Sequence, residues 1–131
     1  EEGADIAALL SSVSKVISCQ SEEQFDELTV VAGSGPAYIF EMAKYYANEC
    51  EKMGLSSEDS RGLVGQLFLG SASLMLKEKG SLEEIVDKVT SKGGVTIEAI
   101  NELRMRKVEL IIESSIKKAL NRSKQITQDY S

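Results

Sequence analysis

Apolar side chains recur along most of this chain at three- and four-residue intervals, the period of a helix that packs on one face. Ile6, Leu9, Leu10, Val13 and Val16 set out a first amphipathic helix, followed by a short extended link over Ser18 to Gln20. Glu22 to Ala32 reads as either helix or strand, because Leu28 to Ala32 is so largely apolar that neither period stands out. From Pro36 to Met53 the helical period is clear again. Ile39, Phe40, Met42, Ala43, Tyr46, Ala47 and Cys50 make a broad apolar face, and Lys44, Asn48, Glu51 and Lys52 fall off it. Gly54 closes that helix as a C-cap, and Ser56 or Ser57, with Glu58 and Asp59 behind it, opens the next.

The helix after Ser57 carries the strongest structural signal. Between Arg61 and Lys77 no side chain is charged, so Gly62 to Leu76 is apolar or small nearly all the way round. A helix polar on no face has to be covered on every face, and this one falls short of the roughly 20 apolar residues that span a bilayer. One small domain has few helices with which to surround another, so a second subunit is expected to supply part of the cover. Gly62, Gly65, Gly70 and Ala72 permit close approach of neighbouring backbones, and Tyr38, Tyr45 and Tyr46 read as core or interface aromatics.

Downstream, Ser81-Leu82-Glu83-Glu84 has the spacing of a capping box and starts a short helix to about Val89. A loop over Thr90 to Gly94 leads into a helix from Val95 or Thr96 to about Leu103. Val108 to Ile126 forms a long last helix with Leu110, Ile111, Ile116 and Leu120 among its apolar positions, and Thr127 to Ser131 is a polar, frayed tail. The pattern predicts a single all-α domain over residues 1–131 with about six helices.

One segment breaks the pattern. Thr29-Val30-Val31-Ala32-Gly33-Ser34-Gly35 imitates a strand running into a dinucleotide-binding turn, but the fingerprint needs a third small residue where Tyr38 stands. Pro36 fits the first turn of a helix capped by Ser34, since its missing N–H and fixed φ suit that place. Gly33 to Tyr38 is therefore expected to be a helix–helix junction, with Gly33, Ser34, Gly35 and Pro36 in a structural role.

Composition narrows the chemistry. With 131 residues, 42% of them hydrophobic, the chain can bury one real core. A net charge of −6 argues against a nucleic-acid partner, which needs clustered Lys and Arg. The basic group Lys117, Lys118, Arg122 and Lys124 reads as cations placed to complement a helix C-terminus. There is no histidine, and Cys19 and Cys50 stand alone, so no zinc site of the thiolate–imidazole kind can form within the chain. Two isolated thiols point to a reducing, cytoplasmic setting, with Cys50 in the core. The chain does not begin with methionine, which fits a domain cut from a longer protein.

No nucleophile with its base, carboxylate pair or phosphate loop makes this chain a self-sufficient enzyme. The best place for chemistry is Gly93-Gly94-Val95-Thr96. Paired glycines at a helix start leave backbone N–H groups bare at the positive end of the dipole, a pocket suited to a carboxylate, and Thr96 sets a hydroxyl beside it. The same residues also fit a plain turn followed by a capped helix.

Gly33-Ser34-Gly35-Pro36-Ala37-Tyr38 and, downstream, Val89-Thr90-Ser91-Lys92-Gly93-Gly94-Val95-Thr96-Ile97 together resemble the C-terminal domain of pyrroline-5-carboxylate reductase. The resemblance covers nearly the whole chain. It implies the helical dimerisation fold of 6-phosphogluconate-dehydrogenase-like reductases, paired as a homodimer or a higher assembly. It implies reduction of an imine carboxylate to proline with NADP or NAD, the cofactor being bound by an N-terminal Rossmann domain that this chain lacks. It places Val89, Ser91, Gly93, Gly94, Val95 and Thr96 around the substrate, with the loop on its carboxylate and Thr96, as the catalytic residue, hydrogen-bonding the ring nitrogen. No metal is implied.

Two departures stand beside it. The family usually has a proline where this chain has Lys92, which loosens the loop and adds a cation near the carboxylate. The family commonly has a glycine-rich turn followed by an arginine between its last two helices, where this chain has Arg104-Met105-Arg106-Lys107-Val108-Glu109. These keep two other readings open: a divergent reductase with another imine substrate or a regulatory role, and a non-catalytic helical association module.

Overall fold

The computed structural model describes Ser11 and residues 15–129. Within them the chain forms five helices: α1 (Glu22–Lys52), α2 (Ser57–Lys77), α3 (Leu82–Lys88), α4 (Val95–Met105) and α5 (Val108–Asp129). The described residues contain no strand, in keeping with the all-α pattern. The helix expected over Ile6 to Val16 lies mostly outside the described residues, and Lys15 and Val16 at its end have no regular structure.

The expected junction at Gly33 to Tyr38 is not there. α1 runs unbroken through it for 31 residues with Pro36 in its interior, and this also settles Glu22 to Ala32 as helix. Strong ends explain why weak central residues do not break it. At the start, the Ser21 hydroxyl accepts from the Gln24 N–H (3.1 Å) while Gln24 Oε1 accepts from the Gln20 N–H (2.6 Å). Glu22 and Glu23 add negative charge to the first turn. At the far end, Leu55 N–H donates to the Cys50 carbonyl (3.2 Å) and Gly54 N–H to the Glu51 carbonyl (2.9 Å), with Gly54 at φ 103. That is a Schellman stop, and it needs a glycine at the left-handed position. Pro36 costs α1 one N–H donor toward the Ala32 carbonyl, a loss that packing along the flanking turns has to offset.

α1 packs on α2 and on α5, and α4 packs on α5. At the α1–α2 contact the rings of Tyr46 and Phe68 meet edge to face with centroids 6.0 Å apart. Val30 of α1 and Val64 of α2 are the buried apolar residues among those described, at 8% and 2% exposure. The cations near the end of the chain do not cap a helix terminus, because α5 continues through the expected tail to Asp129. Lys117 pairs with Glu113 on the same helix instead, and Lys124 reaches across to Glu23 (3.4 Å) and Glu27 (3.7 Å) of α1.

A core this small leaves apolar surface in the open. Leu63, Leu67, Leu69 and Leu76 of α2 are 47–84% exposed, and Leu110, Ile111 and Ile112 of α5 are exposed as well. The accessible surface is 11113 Å². A compact monomer of 14.3 kDa exposes about 6,800 Å², so the chain carries an excess of about 4,300 Å². None of the described helices is long and apolar enough to cross a membrane.

Candidate functional site

The site is built by the turn that joins α3 to α4. Ser81 opens α3 with the expected capping box: its hydroxyl accepts from the Glu84 N–H (3.2 Å), and Glu84 Oε2 accepts from the Ser81 N–H (2.7 Å). A seven-residue helix cannot hold itself together, so this cap matters more than it would on a longer one. Ion pairs tie the unit to its neighbours, Lys88 to Glu78 at the end of α2 and Arg104 of α4 to Glu83 (3.7 Å).

After α3 ends at its cap residue Val89, the chain reverses through Ser91-Lys92-Gly93-Gly94. Gly94 N–H donates to the Ser91 carbonyl (3.1 Å) and Gly93 has φ 71. Lys92 is not in the left-handed region, so this is a type II turn with lysine at its second position and glycine, as the geometry requires, at its third. Gly94 is needed for a different reason. A methyl group there would run into the Ser91 hydroxyl and stand 3.3 Å from the Ser91 carbonyl. Glycine therefore lets Ser91 fold down against the start of α4.

Gly94 is the N-cap of α4 and offers no side-chain cap. The N–H groups of Val95 and Thr96 thus open outward with no acceptor among the described residues, at the positive end of an eleven-residue helix. Thr96 is exposed, and its hydroxyl makes no hydrogen bond among the described residues. Val95, the first residue of α4, is 89% exposed, and Val89, the cap residue of α3, is 56% exposed, so the segment offers two open apolar side chains. A planar anion with a small apolar body suits these features: carboxylate oxygens on the N–H groups, the Thr96 hydroxyl beside it, and the valines against its carbon atoms.

Val89, Ser91, Gly93, Gly94, Val95 and Thr96 therefore lie together in one cap-and-turn unit. Gly33, Ser34, Gly35 and Pro36 do not join them within the chain. They sit mid-way along α1, where Ser34 lines a groove with Ala119, Arg122 and Ile126 of α5. Two features were not read from the sequence. The Thr90 hydroxyl is buried without a partner, and Lys107 adopts φ 54 between α4 and α5. The departure at Arg104 to Glu109 consequently keeps its turn, with lysine in a conformation that glycine normally takes.

Comparison with known proteins identifies the family. The family description "Pyrroline-5-carboxylate reductase dimerisation" matches residues 22–126. The chain belongs to that family. It is 34% identical over 98% of its length to a pyrroline-5-carboxylate reductase of Arabidopsis thaliana, and 37% identical over 93% to pyrroline-5-carboxylate reductase 1 of Bacillus subtilis. A solved pyrroline-5-carboxylate reductase from Coxiella burnetii superposes with a TM-score of 0.87 at 31% identity, over 95% of this chain. The chain spans about half the length of the relatives it matches: 46% of the Arabidopsis protein, 41% of the Bacillus protein and 47% of the Coxiella chain. The helical dimerisation fold implied by the sequence is thus the fold this family shares.

Proposed function

We propose that this chain is the dimerisation and substrate-binding part of a pyrroline-5-carboxylate reductase, which converts 1-pyrroline-5-carboxylate to L-proline with NAD(P)H. The observation that carries this reading is the bare start of α4, where the N–H groups of Val95 and Thr96, following the Gly93-Gly94 turn, have no acceptor among the described residues and stand with the free Thr96 hydroxyl. The Val95 and Thr96 N–H groups and Ser91 take the carboxylate, Val89 and Val95 flank the ring, and Thr96 hydrogen-bonds the ring nitrogen. As the C=N bond is reduced, its π pair settles on that nitrogen, and a hydroxyl placed there supports the charge change.

The described residues do not fit the cofactor. Gly33-Ser34-Gly35 lies inside a helix rather than at a strand end, so no dinucleotide turn exists there. The hydride donor is accordingly assigned to a nucleotide-binding domain elsewhere in the same protein, and this chain's part is confined to the imine. The excess apolar surface of α1, α2 and α5 is assigned to a second copy of the chain, making a homodimer. Cys19 and Cys50 are both free thiols, consistent with a cytoplasmic home.

The test is Thr96→Ala in the full-length protein. Turnover falls by at least about 10²-fold while assembly is retained. An unchanged rate removes Thr96 from the reaction.

A further inference from the structure

The loop before α4 carries one group that the proposed function leaves unused. Lys92, at the second position of the turn, has no ion pair or hydrogen bond among the described residues. With Asp87, Thr90, Ser91 and Ile97 it lines a cavity of 320 Å³. Asp87 is not within ion-pair distance of any cation among the described residues, so Lys92 is not held by the carboxylate that shares its cavity. The Thr90 hydroxyl is buried with no hydrogen-bond partner. Nearby cations are already engaged, Lys88 by Glu78 and Arg104 by Glu83. The unpartnered Thr90 hydroxyl and the unpaired Lys92 side chain thus line one cavity in the turn that leads into the bare N–H groups of α4, and the Asp87 carboxylate that shares it engages neither. The chain as a whole bears a charge of −6, which opposes the approach of an anionic substrate; a local cation at the loop counters that field where it counts.

Resting on the carboxylate reading above, we propose that Lys92 is a carboxylate-binding residue that selects imines bearing a carboxylate over those without one. Its flexible four-carbon stem starts two residues before Gly94, so the ammonium can swing over the N–H groups of α4 and pair with an oxygen they leave exposed. The backbone conformation at this turn position would equally accept proline. Lysine adds charge where proline would add only stiffness.

The test uses the full-length protein and two substrates, 1-pyrroline-5-carboxylate and 1-pyrroline, which lacks the carboxylate. Lys92→Gln lowers kcat/KM for the carboxylate about tenfold, chiefly through KM, as loss of one charge-assisted contact implies. It loses far less on 1-pyrroline, and it flattens the decline of kcat/KM with rising salt. Lys92→Arg restores both the KM and the salt dependence. Equal losses on both substrates with the salt dependence intact would mean that Lys92 only shapes the loop, and would overturn the proposal; so would a wild-type KM. Gly94→Ala, which pushes a methyl group into Ser91, separates the two levels. If it raises KM and Lys92→Gln does not, only the role of Lys92 falls. If neither moves KM, the loop is not the carboxylate site, and the reading of the previous subsection falls with it.

Discussion

Lys107 shows how much a single residue can be asked to bear. At φ 54 it occupies the position just past the end of α4, where its N–H donates to the Arg104 carbonyl (3.0 Å) and its own carbonyl accepts from Leu110 (3.0 Å). A side chain in that conformation costs about 1 kcal/mol that glycine does not incur. Lys107→Gly is therefore expected to raise the stability of the protein by about 1 kcal/mol, read as a higher midpoint of chemical denaturation at unchanged slope. A lower midpoint would mean that the lysine makes up its strain through contacts outside the described residues. Gly93 and Gly94 present the opposite case, since each is already the residue its backbone demands, one for a positive φ and one for the approach of Ser91. That the chain turns here before a helix was legible in the sequence from the paired glycines; which glycine meets which need was not. Lys107 was not, because lysine gives no sign of a left-handed backbone, and neither was the buried Thr90 hydroxyl, whose surroundings depend on how α3 and α4 are placed.

At the scale of elements, boundaries followed capping chemistry closely. Ser56 caps α2 by accepting from the Asp59 N–H (3.1 Å), the Ser81 box opens α3 where its spacing said it would, and the Gly93-Gly94 pair precedes α4. The error came where local punctuation competed with length. Gly33-Ser34-Gly35-Pro36 has every mark of a break, yet α1 has sound caps at both ends and packs on two other helices, and those terms outweigh one missing donor. Local rules cannot register contacts that arrive from distant sequence. Where no such contacts support an element, the cap should decide. α3 has seven residues, so Ser81→Ala is expected to cost about 1 kcal/mol and to speed amide exchange over residues 82–89 well before it affects α1. Unchanged exchange in that stretch would show that α3 is held by something other than its box.

The whole molecule is an unfinished object by area. Leu76 remains 84% exposed on a helix with no charge from Gly62 to Leu76, and Leu63, Leu67 and Leu69 of the same helix are exposed with it. An excess of about 4,300 Å² per chain, or about 8,600 Å² for a pair, is more than the roughly 2,000–5,000 Å² in total that obligate dimers commonly bury, so one such interface can be drawn from it with surface to spare. The sequence signalled this through α2, whose lack of a polar face was visible without any structure. It could not show which faces pair, because that depends on how α1 and α5 lie beside α2. The chain is expected to run in solution as a dimer of 14.3 kDa subunits, with a thermal midpoint that rises with concentration. A monomer by light scattering at micromolar concentration would leave the apolar faces of α2 and α5 without an explanation.

The central claim is that these helices hold an imine carboxylate for reduction, and the most direct test is the oxidation of NAD(P)H by the full-length protein with and without 1-pyrroline-5-carboxylate. The account predicts oxidation that depends on the substrate and yields proline. A folded, dimeric, cofactor-binding protein that shows no substrate-dependent oxidation would contradict it.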